Sequence, residues 1–125
     1  MKIKIKKLSE YGKTPTRAHE DDAGADLYEA ESFTIFNGQT AKVKTDISIE
    51  IPPGYAGFIW DRSSMGAKGI KVMGGLCDSS YRGNYMVCLQ NNSGYEYKVS
   101  SGDKIAQLVI LPIMIADFEE AEELS

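Results

Sequence analysis

Four short stretches of this 125-residue chain gather side chains that can do chemistry. Ala23-Gly24-Ala25-Asp26-Leu27-Tyr28 sets one acid among small and apolar neighbours that allow close backbone approach; equally, Asp26 would cap its own turn. In Arg62-Ser63-Ser64-Met65-Gly66-Ala67-Lys68-Gly69 a guanidinium and two hydroxyls meet a possible helix start. Such donors converge well on phosphate oxygens, and they also fit a serine N-cap beside a surface arginine. Gly74-Gly75-Leu76-Cys77-Asp78-Ser79-Ser80-Tyr81-Arg82-Gly83 carries a carboxylate able to take a proton from an attacking water, then an aromatic ring able to lie against a sugar or base. Asp78 and Ser79 would otherwise close a strand–turn–strand connection. Finally, Gly102-Asp103-Lys104-Ile105-Ala106-Gln107-Leu108 places an amide inside an apolar run, where leaving it unpaired costs ~1–3 kcal/mol. Gln107 must therefore bond either to a backbone neighbour or to a ligand.

The elements that position these groups read as strands. From Val43 to Ile51 the odd positions are Val, Thr, Ile, Ile, Ile and the even ones Lys, Asp, Ser, Glu, the alternation of one half-buried strand stopped by Pro52-Pro53-Gly54. Lys2–Lys6, Phe33–Phe36, Tyr55–Trp60 and Lys71–Met73 are shorter candidates. Asn84–Gln90 and Tyr95–Val99 flank Asn91-Asn92-Ser93-Gly94 and predict a hairpin. Ile105–Leu111 is nearly continuous apolar, as expected of a strand covered on both faces. Only Ser64–Lys68 offers a helical turn. The expected fold is all-β, a jelly-roll or β-sandwich-like arrangement with at most one short helix, over a single domain spanning residues 1–125.

Composition narrows the function classes. Hydrophobic residues at 42% and charged residues at 26% exclude wholesale disorder, and no apolar run approaches the ~20 residues of a membrane span. The opening Met1-Lys2-Ile3-Lys4-Ile5-Lys6-Lys7 alternates instead of presenting the apolar block of a signal peptide, and two cysteines with one histidine make a poor zinc inventory, so a reduced cytoplasmic setting without export is expected. Of the 18 acids, five lie in Asp117–Ser125; the remaining 13 face 14 bases, so the body is near neutral. It has no global basic field for nucleic acid, and a polyphosphate ligand would need local cations or a metal ion.

In order and spacing, AGADL, RSSMGAKG, GGLCDSSYRG and GDKIAQL resemble the first four motifs of the trimeric deoxyuridine triphosphatases (dUTPases), over about Ala18 to Leu111. The resemblance implies a homotrimer with sites at subunit interfaces and hydrolysis of dUTP to dUMP and diphosphate by water attack on the α-phosphorus. Asp78 matches the aspartate that activates the water, and Tyr81 the ring packed on the deoxyribose. Gly75 and Leu76 match the nucleoside pocket, and Asn84 and Met86 the segment that reads uracil. Arg62, Ser63, Ser64 and Gln107 match phosphate-binding positions. Asp26 matches the first-motif acid near the water shell of a Mg2+ ion that neutralises the triphosphate.

The family's fifth motif, a glycine-rich C-terminal arm, has no counterpart up to Ser125. Residues 117–125 are expected to begin a mobile arm, and slow turnover is expected of a chain that lacks the rest. Asp61, Ser80 and Gly66 also depart from common family choices. Cys77, beside Asp78, is expected to be a small buried apolar residue rather than a nucleophile. Two rival readings share the scaffold. A dCTP deaminase would need a glutamate where this chain has Cys88, and a non-catalytic dUTP-binding regulator would bind dUTP with little turnover.

Overall fold

Short β-branched and aromatic runs, punctuated by glycine, proline and asparagine, form eleven strands and one helical turn in the computed structural model, which describes residues 1–125. In chain order the strands are Lys4–Lys7 (β1), Ala25–Tyr28 (β2), Phe33–Ile35 (β3), Thr40–Lys44 (β4), Ile47–Glu50 (β5), Tyr55–Trp60 (β6), Ile70–Met73 (β7), Leu76–Cys77 (β8), Met86–Asn91 (β9), Tyr97–Val99 (β10) and Lys104–Pro112 (β11). The helix, Ser63–Ala67 (α1), lies between β6 and β7. Two larger sheets, β2-β11-β6-β8 and β4-β9-β7, are joined by the pairs β1-β5 and β10-β3. Seventeen buried side chains form one core between them, with Leu27, Ile51, Val87 and Leu89 fully enclosed. Each such side chain contributes ~1.5–3 kcal/mol on burial. No helix is long and apolar enough to cross a membrane.

The all-β expectation holds, with five revisions. The strand expected over Val43–Ile51 is two, because Asp46 takes φ 53°, the left-handed region, and breaks it. The chain thereby changes partners: β4 pairs with β9, and β5 with β1. The buried parity of Val43, Thr45, Ile47, Ile49 and Ile51 survives the break, but Ser48 is buried as well. The hairpin expected around Asn91–Gly94 has its turn but not its pairing. β9 lies between β4 and β7, whereas β10 joins β3. Asn91, fully buried, holds this crossover by donating from Nδ2 to Ile35 O (2.8 Å) and Tyr95 O (2.7 Å).

β11 is covered on both faces only at its start. Ile105, Ala106 and Leu108 are buried, Val109 and Ile110 half-buried, and Leu111 exposed, since nothing in the chain packs over its far end. Ala25–Tyr28, which the sequence suggests as a turn, is strand β2 along β11, so Asp26 caps no loop. α1 starts without a side-chain cap on Arg62, so the serines are not N-caps. Residues 113–125 form no strand or helix and are exposed; Ile113 N–H still donates to Gly54 O (2.9 Å).

One core position carries a charge problem. Glu29 continues the buried face of β2 at 1% exposure. Its Oε1 accepts the Glu31 N–H, while Oε2 has no partner. Burial raises its pKa from 4.5 to about 7, with the Glu31 and Asp46 charges adding to the rise and backbone donors opposing it. The fold therefore prefers the protonated acid. Stability from this group is complete below pH 4.5 and falls as pH rises towards 7. Glu29→Gln should be more stable than the parent chain at pH 8 and should flatten this decline in denaturant titrations run from pH 5 to 8. Parallel curves for the two proteins would remove Glu29 as the titrating group.

Candidate functional site

The first, polar cluster is built by the register of three strands. Gln107 of β11 lies opposite Asp26 of β2 on one side and Trp60 of β6 on the other. The two residues after Trp60, Asp61 and Arg62, turn into α1. Arg62 Nε sits 3.3 Å from Asp26 Oδ1, and Lys104 Nζ 3.4 Å from Asp26 Oδ2. Gln107 Nε2 donates to Asp61 O (2.8 Å), which resolves half of the choice that its sequence context left open. The Asp61 carboxylate is turned elsewhere, accepting from Val72 N–H and from Lys71 Nζ (3.1 Å), and so pins the corner. Gly24 is required here because a Cβ would lie 2.1 Å from Gln107 Oε1. Ser63 and Ser64 open α1 beside Arg62, both exposed.

Lys104 is the group that sequence reasoning missed. Alternation would place it on the face opposite Gln107, three residues away. A register shift between Lys104 and Ala106 breaks that parity and lets Lys104 reach the same aspartate. Nothing in the sequence marks the irregularity except the turn at Gly102-Asp103 just before it.

The second cluster is a cleft of about 180 Å³ lined by Leu76, Cys77, Asp78, Tyr81, Tyr85 and Met86. Tyr81 is held upright by its hydroxyl, which donates to Asn84 O (2.8 Å), and by the tilted Tyr85 ring at 5.7 Å. Tyr85 is buried with its hydroxyl unpartnered, and burial pushes that hydroxyl up to about 12. Burial first, and then the Asp78 charge, push the Cys77 thiol up to about 11, which disfavours the nucleophilic thiolate, although the residue is half-buried rather than buried as expected. Asp78 itself is exposed at the rim; its backbone O closes the turn to Tyr81 N–H (3.1 Å), while its carboxylate keeps no partner within the chain. An aromatic, half-open cleft with one free carboxylate suits a flat heterocycle and a water to be deprotonated.

Two expected contact residues have structural duties. Gly75, at φ 101°, packs against Ile59 O, where a Cβ would come within 2.5 Å; it shapes the cleft without lining it. The Asn84 side chain is spent on Asp46, accepting from its N–H (3.0 Å) and donating to its Oδ1 (2.8 Å). That leaves only the Asn84 backbone for a ligand, and its N–H has no protein partner.

Within one chain the clusters stand apart. β8 sets Cys77 opposite Gly57, and β11 sets Gln107 opposite Trp60. These levels are ~10 Å apart at ~3.3 Å per residue, with Asp78 and Arg62 beyond either end.

Among known proteins, a family model described as dUTPase matches residues 10–125. The deoxyuridine 5'-triphosphate nucleotidohydrolase of variola virus is 40% identical over 122 residues, covering 98% of this chain and 83% of the relative. That of monkeypox virus is 39% identical, covering 98% and 81%. Among solved structures, the dUTPase of the S. aureus phage phi11 superposes with a TM-score of 0.94 at 29% identity, covering 99% of this chain and 98% of that one. A mutant of the Staphylococcus bacteriophage 80alpha dUTPase with dUpNHpp gives a TM-score of 0.92 at 28% identity, covering 98% and 89%.

Gly83 tests the cleft geometry directly, since a Cβ there would meet Tyr81 Oη at 2.5 Å and its ring at 2.7 Å. Gly83→Ala should break the Tyr81–Asn84 bond and cost ~1–3 kcal/mol in denaturant unfolding. Unchanged stability together with an unchanged tyrosine spectrum would show that the contact gives way freely.

Proposed function

The chain belongs to the dUTPase family, and on that premise we propose that it hydrolyses dUTP to dUMP and diphosphate. The observation that carries the reading is the free Asp78 carboxylate at the rim of the Tyr81 cleft. Asp78 accepts the proton of a water whose oxygen attacks the α-phosphorus. The new O–P bond forms as the bond to the bridging oxygen breaks, and diphosphate leaves with that oxygen. Tyr81 packs on the deoxyribose face and leaves no room for a 2′-hydroxyl. Leu76 and Met86 flank the base, Gly75 sets the floor, and the backbone of Asn84 offers its N–H to uracil.

Arg62, with the hydroxyls of Ser63 and Ser64, takes the phosphate oxygens. Gln107 holds Asp61 O and hence the corner that carries Arg62. The donor set also fits a magnesium ion held through water. No group of three His, Cys, Asp or Glu forms a metal cage. Asp26 is the carboxylate of the cluster, because that of Asp61 is committed to Val72 and Lys71. When bound, the ion would neutralise phosphate charge and align the leaving diphosphate. Arg62 and Lys104 hold the Asp26 carboxylate in place for that role. A structural Mg(II) ion is described for a mutant of the phage phi11 dUTPase, 30% identical to this chain.

The separation of the two clusters along β6 supports a site shared between copies, with Asp78 and Tyr81 from one protomer and the Asp26–Arg62–Gln107 cluster from its neighbour in a homotrimer. The exposed apolar end of β11 fits such packing. The two free cysteines fit a cytoplasmic setting.

Asp78→Asn should lower kcat for dUTP by at least ~10²-fold while preserving dUTP binding, read by chromatography of dUMP and by calorimetry. UTP, dTTP and dCTP should remain unhydrolysed by the parent chain. Co-expressed Asp78→Asn and Arg62→Ala chains, each inactive alone, should regain about a quarter of intact sites in an equal mixture if the site is shared. No recovery in demonstrably mixed oligomers would place both clusters of each site in one chain. Tight dUTP binding without turnover by the parent chain would favour the regulator reading.

A further inference from the structure

Asp46 is the one non-glycine residue with positive φ, and every polar atom it has is used. Its N–H donates to Asn84 Oδ1 (3.0 Å), its Oδ1 accepts from Asn84 Nδ2 (2.8 Å), its Oδ2 accepts from Ser9 Oγ (2.7 Å) and its carbonyl accepts from Leu8 N–H (2.9 Å). The residues around it grip the same loop. Thr45 Oγ1 donates to Tyr85 O (2.6 Å), Ile47 O accepts from Tyr85 N–H (2.9 Å), and Ser48 Oγ donates to Arg82 O (2.7 Å). Residues 45–48 therefore hold the backbone of 82–85 from beneath, and the left-handed turn at Asp46 brings its carboxylate and N–H together onto one asparagine. From Asn84 the chain of contacts continues through its carbonyl to the Tyr81 hydroxyl. A residue held in a disfavoured backbone region and saturated by partners on a binding loop marks a place where the fold enforces a shape.

We propose that Asp46 is a positioning residue for nucleoside selection: through the reciprocal pair with Asn84 it fixes the loop that stands Tyr81 against the sugar and presents the Asn84 N–H to the base. This rests on the functional reading above for the identity of the ligand, and on the geometry alone for the loop.

Two substitutions separate the carboxylate from the backbone. Glycine tolerates φ 53°, so Asp46→Gly keeps the turn and deletes the clamp. Asparagine also tolerates that region; Asp46→Asn still accepts from Asn84 Nδ2 and can donate its own amide to Ser9 Oγ. Asp46→Gly should raise KM for dUTP about tenfold with kcat within about twofold, and should narrow the preference for dUTP over UTP. Asp46→Asn should restore the parent values. Ser9→Ala, which removes the other carboxylate contact together with the acceptor of the Tyr11 N–H, should leave KM unchanged. Amide hydrogen exchange at Tyr85, whose N–H donates to Ile47 O, should quicken in Asp46→Gly alone, a readout that needs no substrate. An unchanged KM in Asp46→Gly, an equal loss in Ser9→Ala, or no rescue by Asp46→Asn would overturn the proposal. If the parent chain fails to hydrolyse dUTP, the functional reading falls by itself. The loop role then stands if exchange quickens in Asp46→Gly alone and falls if it does not.

Discussion

The antiparallel register of β11 between β2 and β6 is the constraint on which the site depends. Because Gln107 faces Asp26 on one side and Trp60 on the other, one nine-residue strand brings an acid, an amide and the corner carrying Arg62 to a common level. A one-residue slip would send every one of these side chains to the opposite face, and the buried Ile105, Ala106 and Leu108 resist such a slip. The irregularity after Lys104 is the exception that adds a second cation to Asp26. An acidic chain thus keeps a local cationic pair where a polyphosphate would need one, although its overall charge is −4.

The same sheet keeps the parts separate. β8 continues the sheet beyond β6 and carries Asp78 away from the Arg62 corner, so the Asp78 carboxylate and the Arg62 cluster do not meet within one chain. Closing a fold around both would demand a longer loop and its entropy. In the shared site proposed above, dividing them between copies would leave each half on rigid strands, where a few tenths of an ångström matter for positioning.

Loop order in the cleft is achieved by hydrogen bonds together with burial of the Tyr85 ring in the core. Tyr81 is exposed at 44%, yet its hydroxyl and ring are each tied to a neighbour. Beneath it, the side chains of Thr45 and Ser48 are spent on backbone carbonyls of the 82–85 loop, and that of Asp46 on the Asn84 side chain. Thr45 and Ser48 are buried polar residues, and each is satisfied, as the cost of an orphan in the interior requires. Glu29 breaks that rule with one orphan oxygen; burial raises its pKa to about 7, so at lower pH a proton removes the charge while the oxygen stays without a partner.

The sequence by itself determined the class of fold, most strand positions and the residue types of both clusters. Period-two alternation and turn residues are local properties: Tyr55–Trp60 is a strand as its pattern predicts, and Asp78, Tyr81, Arg62 and Gln107 were visible as polar residues out of pattern. Only the tertiary structure decided who pairs with whom. The alternation of Val43–Ile51 carries no mark of the left-handed Asp46, because parity is preserved across the change of sheet. The Asn84 side chain is tied to Asp46, 38 positions away in sequence, a contact that its neighbours in the chain do not announce. Lys104 was hidden by a bulge, and the strand that carries Asp26 was too short to show a period. Each of these rests on contacts distant in the chain, which no local pattern encodes.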